Sequence, residues 1–311
     1  MQQKRRVLYI VGAGRSGSTL FDIVLGNSPE IFSSGELVHL HDRGWLNNEY
    51  CGCGQRVNEC PFWRDVKSRW TGQFSPDAVT RFLELQHRFE RMRFLFFSAR
   101  LSGVSGDPEF QEYLRYLNRL LLCVLEASGK RYLVDSSKKY VRAFYVSMLA
   151  DFDVYLIHLV RDSRGVAWSK AKSLAMDARG GVQADQRPAP VAKTARRWLL
   201  TNFVCSYLFF FSHKLSGRYL RVRYEDFVAD PGSMLRQIGA FCEMDLAEPI
   251  RKVVEGEELQ AGHTVAGNRL RMNRKVQIRP DLEWKQKLPA GRESTVWRWT
   301  GWLLRHYGYV R

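Results

Sequence analysis

A run of glycines and hydroxyl residues near the start of the chain, Gly12-Ala13-Gly14-Arg15-Ser16-Gly17-Ser18-Thr19, is suited to holding an anion. It follows the apolar segment 7–11 and leads into helix-forming residues 20–25, so backbone N–H groups at a helix N-terminus would converge on a phosphate-like group. Gly12 and Gly17 have the spacing of a nucleotide-binding P-loop. Where a nucleoside triphosphatase carries its lysine this chain has Ser18, and the positive charge stands at Arg15 instead. Without that lysine, and with no clean strand-borne aspartate for Mg²⁺, γ-phosphate cleavage lacks two of its usual parts. Anion binding is therefore expected and ATP hydrolysis is disfavoured.

Further polar residues stand at predicted strand ends. Gly35-Glu36 follows the first helix and a short second strand, whose end is expected beside the phosphate loop. A carboxylate there can act as general base on a hydroxyl, a role worth about 10² to 10⁴ in rate. Arg161 ends the strand pattern 156–160, with Ser169 eight residues on in the next helix. Arginine forks phosphate oxygens and a nearby hydroxyl can supplement it. Three thiols are crowded at Cys51, Cys53 and Cys60, and His39 or His41 would complete a set of four zinc ligands. The spacing matches no familiar zinc module, so disulfide, metal and free thiols all stay open, with a disulfide or structural thiols preferred. Cys123, Cys205 and Cys242 read as buried thiols.

The elements that must position these residues alternate. Short apolar runs at 7–11, 132–134, 154–160 and 219–224 are each followed by a loop and a helical pattern, which predicts an α/β fold with a mostly parallel, P-loop-like sheet flanked by helices. The whole chain, 1–311, reads as one domain. Its interruption is the segment 37–130, a cysteine-containing loop followed by two amphipathic helices. Phe82, Leu85, Phe89, Met92 and Phe96 recur at helical spacing, as do Phe110, Leu114, Leu117, Leu121 and Val124. Asp107-Pro108 is a natural N-cap and first turn for the second helix. Residues 191–211 form a helix apolar nearly all round, expected to be buried, and residues 292–307 form another rich in tryptophan.

Taken together, these pieces resemble the sulfotransferases that use 3′-phosphoadenosine-5′-phosphosulfate (PAPS). Arg15-Ser16-Gly17-Ser18-Thr19-Leu20 looks like that family's 5′-phosphosulfate loop, and Arg161 with Ser169 like its 3′-phosphate site. Val222-Arg223-Tyr224-Glu225-Asp226 looks like the strand and Tyr-Glu pair that follow that site, and Gly267-Asn268-Arg269-Leu270-Arg271 and the Cys51 to Trp63 region are similar to segments of the family's bacterial members. The resemblance implies that Gly14, Arg15, Ser16, Gly17, Ser18 and Thr19 bind the 5′ end. Arg161, Ser169, Tyr224, Gly267, Asn268, Arg269 and Arg271 would bind the rest of the nucleotide. It implies Arg15 as catalytic cation and Lys138 as the second, with adjacent Lys139 competing for that assignment. The segment 136–140 holds no histidine of the kind cytosolic members use as base, and Gly35-Glu36 is like the Gly-Glu pair of tyrosylprotein sulfotransferases. Glu36 is then the base, with His39 and His41 as fallbacks. The leaving group of sulfuryl transfer is a phosphate, so no metal is required where cations stabilise it.

The chain has 311 residues and a formal charge of +16. Segment 161–216 carries ten Lys or Arg against three Asp, and segment 259–280 carries five basic residues and no acid. Such a surplus points to anionic partners. PAPS, with about four negative charges by ordinary phosphate ionisation, accounts for part of it, and the hydroxyl-bearing acceptor is expected to be anionic too. Its recognition is assigned to loops 37–73 and 173–190. No nucleic-acid module is recognised. Residues 199–211 are too short and interrupted for a membrane span, and no signal peptide is seen, so the cytoplasm is the expected location. Two other readings are a P-loop kinase of a small metabolite and a non-catalytic polyanion-binding protein.

Overall fold

Strand β1 (Arg5–Val11) has two buried faces. Val7, Tyr9 and Val11 join one core cluster while Leu8 and Ile10 join another, as the two-residue period of a strand demands when both faces are covered. The structure, a computed structural model, describes residues 5–75, 77–91, 106–182, 185–210, 217–273 and 275–311. Strands β2 (Ile31–Ser33), β3 (Tyr132–Lys138), β4 (Phe152–Val160) and β5 (Tyr219–Arg223) complete a sheet of order β2-β3-β1-β4-β5. Every pairing is parallel. The predicted α/β architecture is thus present. One detail differs: β3, not β2, lies next to β1, and the longer run 132–138 pairs with β1 on one side and with the short β2 on the other.

One face carries α1 (Ser18–Gly26), and later α8 (Tyr224–Ala229), α9 (Pro231–Cys242) and α10 (Ala247–Glu255). The other carries α2 (Pro61–Thr71), α3 (Ala78–Phe89), α4 (Pro108–Ser128) and α5 (Tyr140–Val146). Helix α2 was expected as loop; its Trp63, Val66 and Trp70 are fully buried against the following helices. In α4 the side chain of Asp107 accepts N–H bonds from Glu109 and Phe110, so the predicted cap is real. Met92 and Phe96, assigned to the first helix of the pair, lie outside the described residues.

Beyond β4 come α6 (Ser163–Ala171), α7 (Val191–Phe210), the short α11 (Trp284–Lys287) and α12 (Ala290–His306). The expectation that the helix over 191–211 is buried all round is corrected. Trp198, Asn202 and Cys205 face inward, whereas Leu200 and Phe203 remain 48% and 42% exposed, because α6 and α12 cover only one side of it. No helix among the described residues is long and apolar enough to cross a membrane.

The helical insertion is fastened to the sheet layer by a buried ion pair. Arg142 on α5, fully enclosed, donates to Glu90 at 2.9 Å, and Glu90 also accepts from Tyr113 on α4 at 2.6 Å. Replacing Arg142 by Met would strand a buried carboxylate, at a cost of about 3–5 kcal/mol. Urea denaturation should register that loss, and a smaller one when Glu90→Gln is combined with it; an unchanged midpoint for the single variant would show that the pair does not hold the insertion.

Candidate active site

All five strands send their C-terminal loops toward one cavity of about 850 Å³. This is where ligands bind in open parallel sheets. Its lining includes Gly14, Arg15, Gly17, Ser18 and Thr19 after β1, Glu36 after β2, Lys138 at the end of β3, and Arg161 and Ser169 after β4. Tyr224 follows β5, and Gly267, Asn268 and Arg269 close the rim from the C-terminal third. Three sequence assignments fall differently. Ser16 is buried behind the loop, its hydroxyl without a partner among the described residues. Arg271 is buried with its guanidinium on the Tyr50 carbonyl at 2.6 Å, so it braces the rim and does not line the cavity. Lys139 is exposed at the residue before α5, which leaves Lys138 as the inward lysine.

Helix α1 begins at the cavity with no side chain capping its first turn. Its free N–H groups and dipole favour an anion. Gly17, at φ 90°, ends the loop, and a Cβ there would sit 2.4 Å from the Tyr224 ring. Glycine thus lets Tyr224 lie directly against the loop. The Arg161 guanidinium stacks on that ring at 4.7 Å, donates to the Arg15 carbonyl at 3.1 Å and pairs with Asp281 at 2.9 Å.

Two cations reach the cavity from left-handed backbone, Arg15 at φ 73° and Lys138 at φ 62°. This conformation costs a non-glycine residue roughly 1–2 kcal/mol. Arg15 donates to Gln186 at 2.5 Å, from a loop closed by the Leu174–Gln186 and Asp177–Val182 bridges. Burial pulls the Arg15 pKa down while Glu36 opposes the shift. Lys138 Nζ donates to Glu36 Oε1 at 2.5 Å and to the Ser136 carbonyl at 3.0 Å. Burial pushes the Glu36 carboxyl up, but the Lys138 ammonium outweighs it, with help from His39 and Arg43, and holds it below the usual carboxylate range. Glu36 is therefore ionised and in reach of a cation.

The loop bearing Glu36 is fixed by backbone. Gly35 bridges Val265, and the Glu36 N–H donates to the Val265 carbonyl at 2.8 Å. At Gly267, φ 93°, a Cβ would stand 3.2 Å from Thr19 Oγ1 and 3.3 Å from Glu36 Oε1, so the rim closes tightly over both. The fallback bases differ: His39 lies 3.9 Å from Glu36 and 3.3 Å from Asp42, whereas His41 is fully buried among Trp45, Trp70 and Phe82 and is a packing residue.

Sequence reasoning passed over Asp22, an acid inside the apolar run 20–25, which is itself a signal. It is fully buried and accepts from the Gly35 N–H at 2.9 Å and the Ser136 hydroxyl at 3.2 Å, joining α1 to the loops that carry Glu36 and Lys138. Burial raises its pKa to about 7 against the Ser33 and Ser136 hydrogen bonds. Also passed over were Arg43, Lys170, Gln186 and Arg279, which line the cavity from segments without a motif, Lys170 from α6. The folded protein holds the Asp22 proton more tightly than the unfolded chain does. Its stability should therefore fall as pH rises from about 4 toward about 7. Asp22→Asn keeps the acceptor oxygen for Gly35 and should flatten that slope in denaturation curves across the window; a slope identical to the parent's would refute the assignment.

Comparison with known proteins gives this geometry its context. A sequence model described as "Sulfotransferase family" matches residues 8–248. No curated protein matches the chain. The solved sulfotransferase domain of the Synechococcus PCC 7002 olefin synthase is 20% identical and superposes with a TM-score of 0.52, covering 100% of this chain and 98% of that one. The sulfotransferase domain from the curacin biosynthetic pathway is 17% identical with a TM-score of 0.47, covering 97% and 98%. The family match spans the glycine-rich loop, the strand ends carrying Glu36, Lys138 and Arg161, and Tyr224, and by it the chain belongs to the sulfotransferase family, enzymes of sulfuryl transfer.

Proposed function

We propose that the protein transfers the sulfuryl group of PAPS to the hydroxyl of an acceptor that is itself anionic. The observation that carries this reading is the meeting of Arg15, Lys138 and an ionised Glu36 at the uncapped start of α1. Several features fit a phosphosulfate donor. The first-turn N–H groups are free of side-chain caps, and the Gly17 contact with Tyr224 leaves a cradle beside them. Arg161, which lines the cavity, has an Nε with no partner among the described residues.

In this reading Glu36 accepts the proton of the attacking hydroxyl as its oxygen bonds to sulfur. The sulfur–oxygen bond to the 5′-phosphate breaks at the same time, and Arg15 and Lys138 balance the negative charge that collects on the departing phosphate. Lys138 thereby exchanges its Glu36 partner for the leaving oxygen, which frees the carboxylate as a base. Fixed donors of this kind are each worth about 10² to 10³ in rate. Arg161, assisted by Ser169, Tyr224 and residues 267–269, holds the 3′-phosphate. Lining residues of the cavity include eight Lys or Arg against three carboxylates. Arg43, Lys275 and Arg279 have no role in that transfer step or in holding the nucleotide, and give an anionic acceptor its attraction.

Radiolabelled PAPS offered with a panel of hydroxyl acceptors, with mass spectrometry of the product, tests the proposal. Transfer should occur without added ATP, and calorimetry should detect binding of the desulfated nucleotide. Arg15→Ala and Glu36→Gln should each lower turnover by about 10² to 10³ with the melting temperature retained. Absence of both transfer and nucleotide binding would sink the reading. A neutral best acceptor with salt-insensitive turnover would remove the anionic part alone.

A further inference from the structure

The three crowded thiols have a fourth companion that sequence spacing did not suggest. His263, more than 200 positions away, turns Nδ1 toward Cys60 Sγ at 3.2 Å and Cys51 Sγ at 3.9 Å, and Cys53 Sγ lies 3.7 Å from Cys60 Sγ. All four ligand atoms lie within 4.8 Å of one another. A zinc ion bound by three thiolates and one imidazole has metal–sulfur bonds of about 2.3 Å and a metal–nitrogen bond of about 2.0–2.1 Å. The edges of that tetrahedron are then about 3.8 Å between sulfurs and about 3.6 Å from sulfur to nitrogen. The spacings in the cluster straddle these values and exceed the roughly 2.05 Å of a disulfide. His39 and His41, the two histidines the sequence offered as a fourth ligand, are engaged elsewhere.

The surroundings are those of a built site. The Cys51 N–H donates to the Gln55 carbonyl at 2.8 Å and the Gly54 N–H to the Cys51 carbonyl at 2.9 Å, folding the Cys-x-Cys loop into a tight knuckle. Cys60 stands at the start of α2, where free N–H groups favour a thiolate. The imidazole stacks on Phe62 at 5.2 Å and the His263 carbonyl accepts from Trp63 Nε1 at 2.8 Å, so both ring and backbone are held. Supporting contacts of this kind orient ligands before the metal arrives.

We propose that Cys51, Cys53, Cys60 and His263 form a structural zinc site that fastens the cysteine loop to the rim of the active-site cavity. The site has four protein ligands and no open position, so it is not a catalytic centre. Its place explains its use. Four residues beyond His263 stands Gly267, which packs over Thr19 and Glu36. Between them, the Gly52 N–H donates to the Thr264 carbonyl at 2.9 Å and Val265 pairs with Gly35. The metal therefore pins one end of the 263–271 segment and the Arg271 contact to Tyr50 pins the other.

Elemental analysis of the full-length protein, purified under reducing conditions from zinc-supplemented medium, should find about one zinc per chain. Cys60→Ser and His263→Ala should each reduce the bound metal by about tenfold or more. Should those variants fail to fold, two further measurements stand. The exposed-thiol variant Cys53→Ser should also bind less zinc, and Co²⁺ added to the metal-stripped parent should give the intense visible bands of a tetrahedral thiolate site. Hydrogen exchange of residues 262–271 should accelerate when the metal is removed and recover when Zn²⁺ is restored. Zinc-free parent protein with no Co²⁺ bands would overturn the proposal. So would an intact mass lighter by two hydrogens that reduction restores, since a disulfide would then occupy the thiols.

Discussion

The site depends on one short backbone pairing between parts of the chain more than 200 residues apart. The segment 34–36 exchanges hydrogen bonds with Val265 in both directions, at 2.8 and 2.9 Å. Without this pairing the loop of Glu36, at the sheet edge and one strand removed from the glycine-rich loop, would lose its link to the rim. With it, the carboxylate is pressed between Lys138 and the rim glycine, and Asn268 is brought close enough to donate from its backbone to Thr19 at 3.1 Å. Buried backbone groups must find partners, and here the partners chosen also determine where the acid lies. Asp22 works from beneath, accepting the neighbouring Gly35 N–H, so the loop is held from two sides.

The electrostatics follow from that arrangement. A carboxylate among so many cations is easily kept charged, but the same cations compete for it. The short Lys138 contact describes a resting pair whose members the proposed chemistry separates, since one is asked to take a proton and the other to meet a leaving oxygen. Arg161 is restrained differently. Its stacking on Tyr224 and its pairing with Asp281 hold the planar guanidinium in place, which lowers the entropy lost when such a group grips a phosphate.

How much of this was legible in the sequence depends on whether a residue's meaning is local. The glycine-rich turn from β1 into α1 was readable because strand, glycines and helix are contiguous, and the Asp107 cap because capping involves adjacent residues. That Arg161 and Ser169 face the same cavity was readable from spacing along one strand and helix. The neighbours of β2 were not, since strand order reflects competition between apolar runs far apart in the chain. Nor was the inward turn of Arg271 toward a carbonyl, which depends on loop 50–60 being folded alongside. His263 could be matched to the cysteines only in three dimensions, and the exposed face of α7 could be recognised only once the helices beside it were placed.

The left-handed backbone at Arg15 and Lys138 has a consequence for how this molecule tolerates change. Both positions have the conformation that glycine adopts without penalty, so on backbone grounds alone glycine is the residue each would gain stability from. Both are also the positions at which the proposed chemistry requires a cation. A search for more robust variants that selects only for thermal resistance would therefore be drawn toward these two sites and would collect well-folded, inactive proteins.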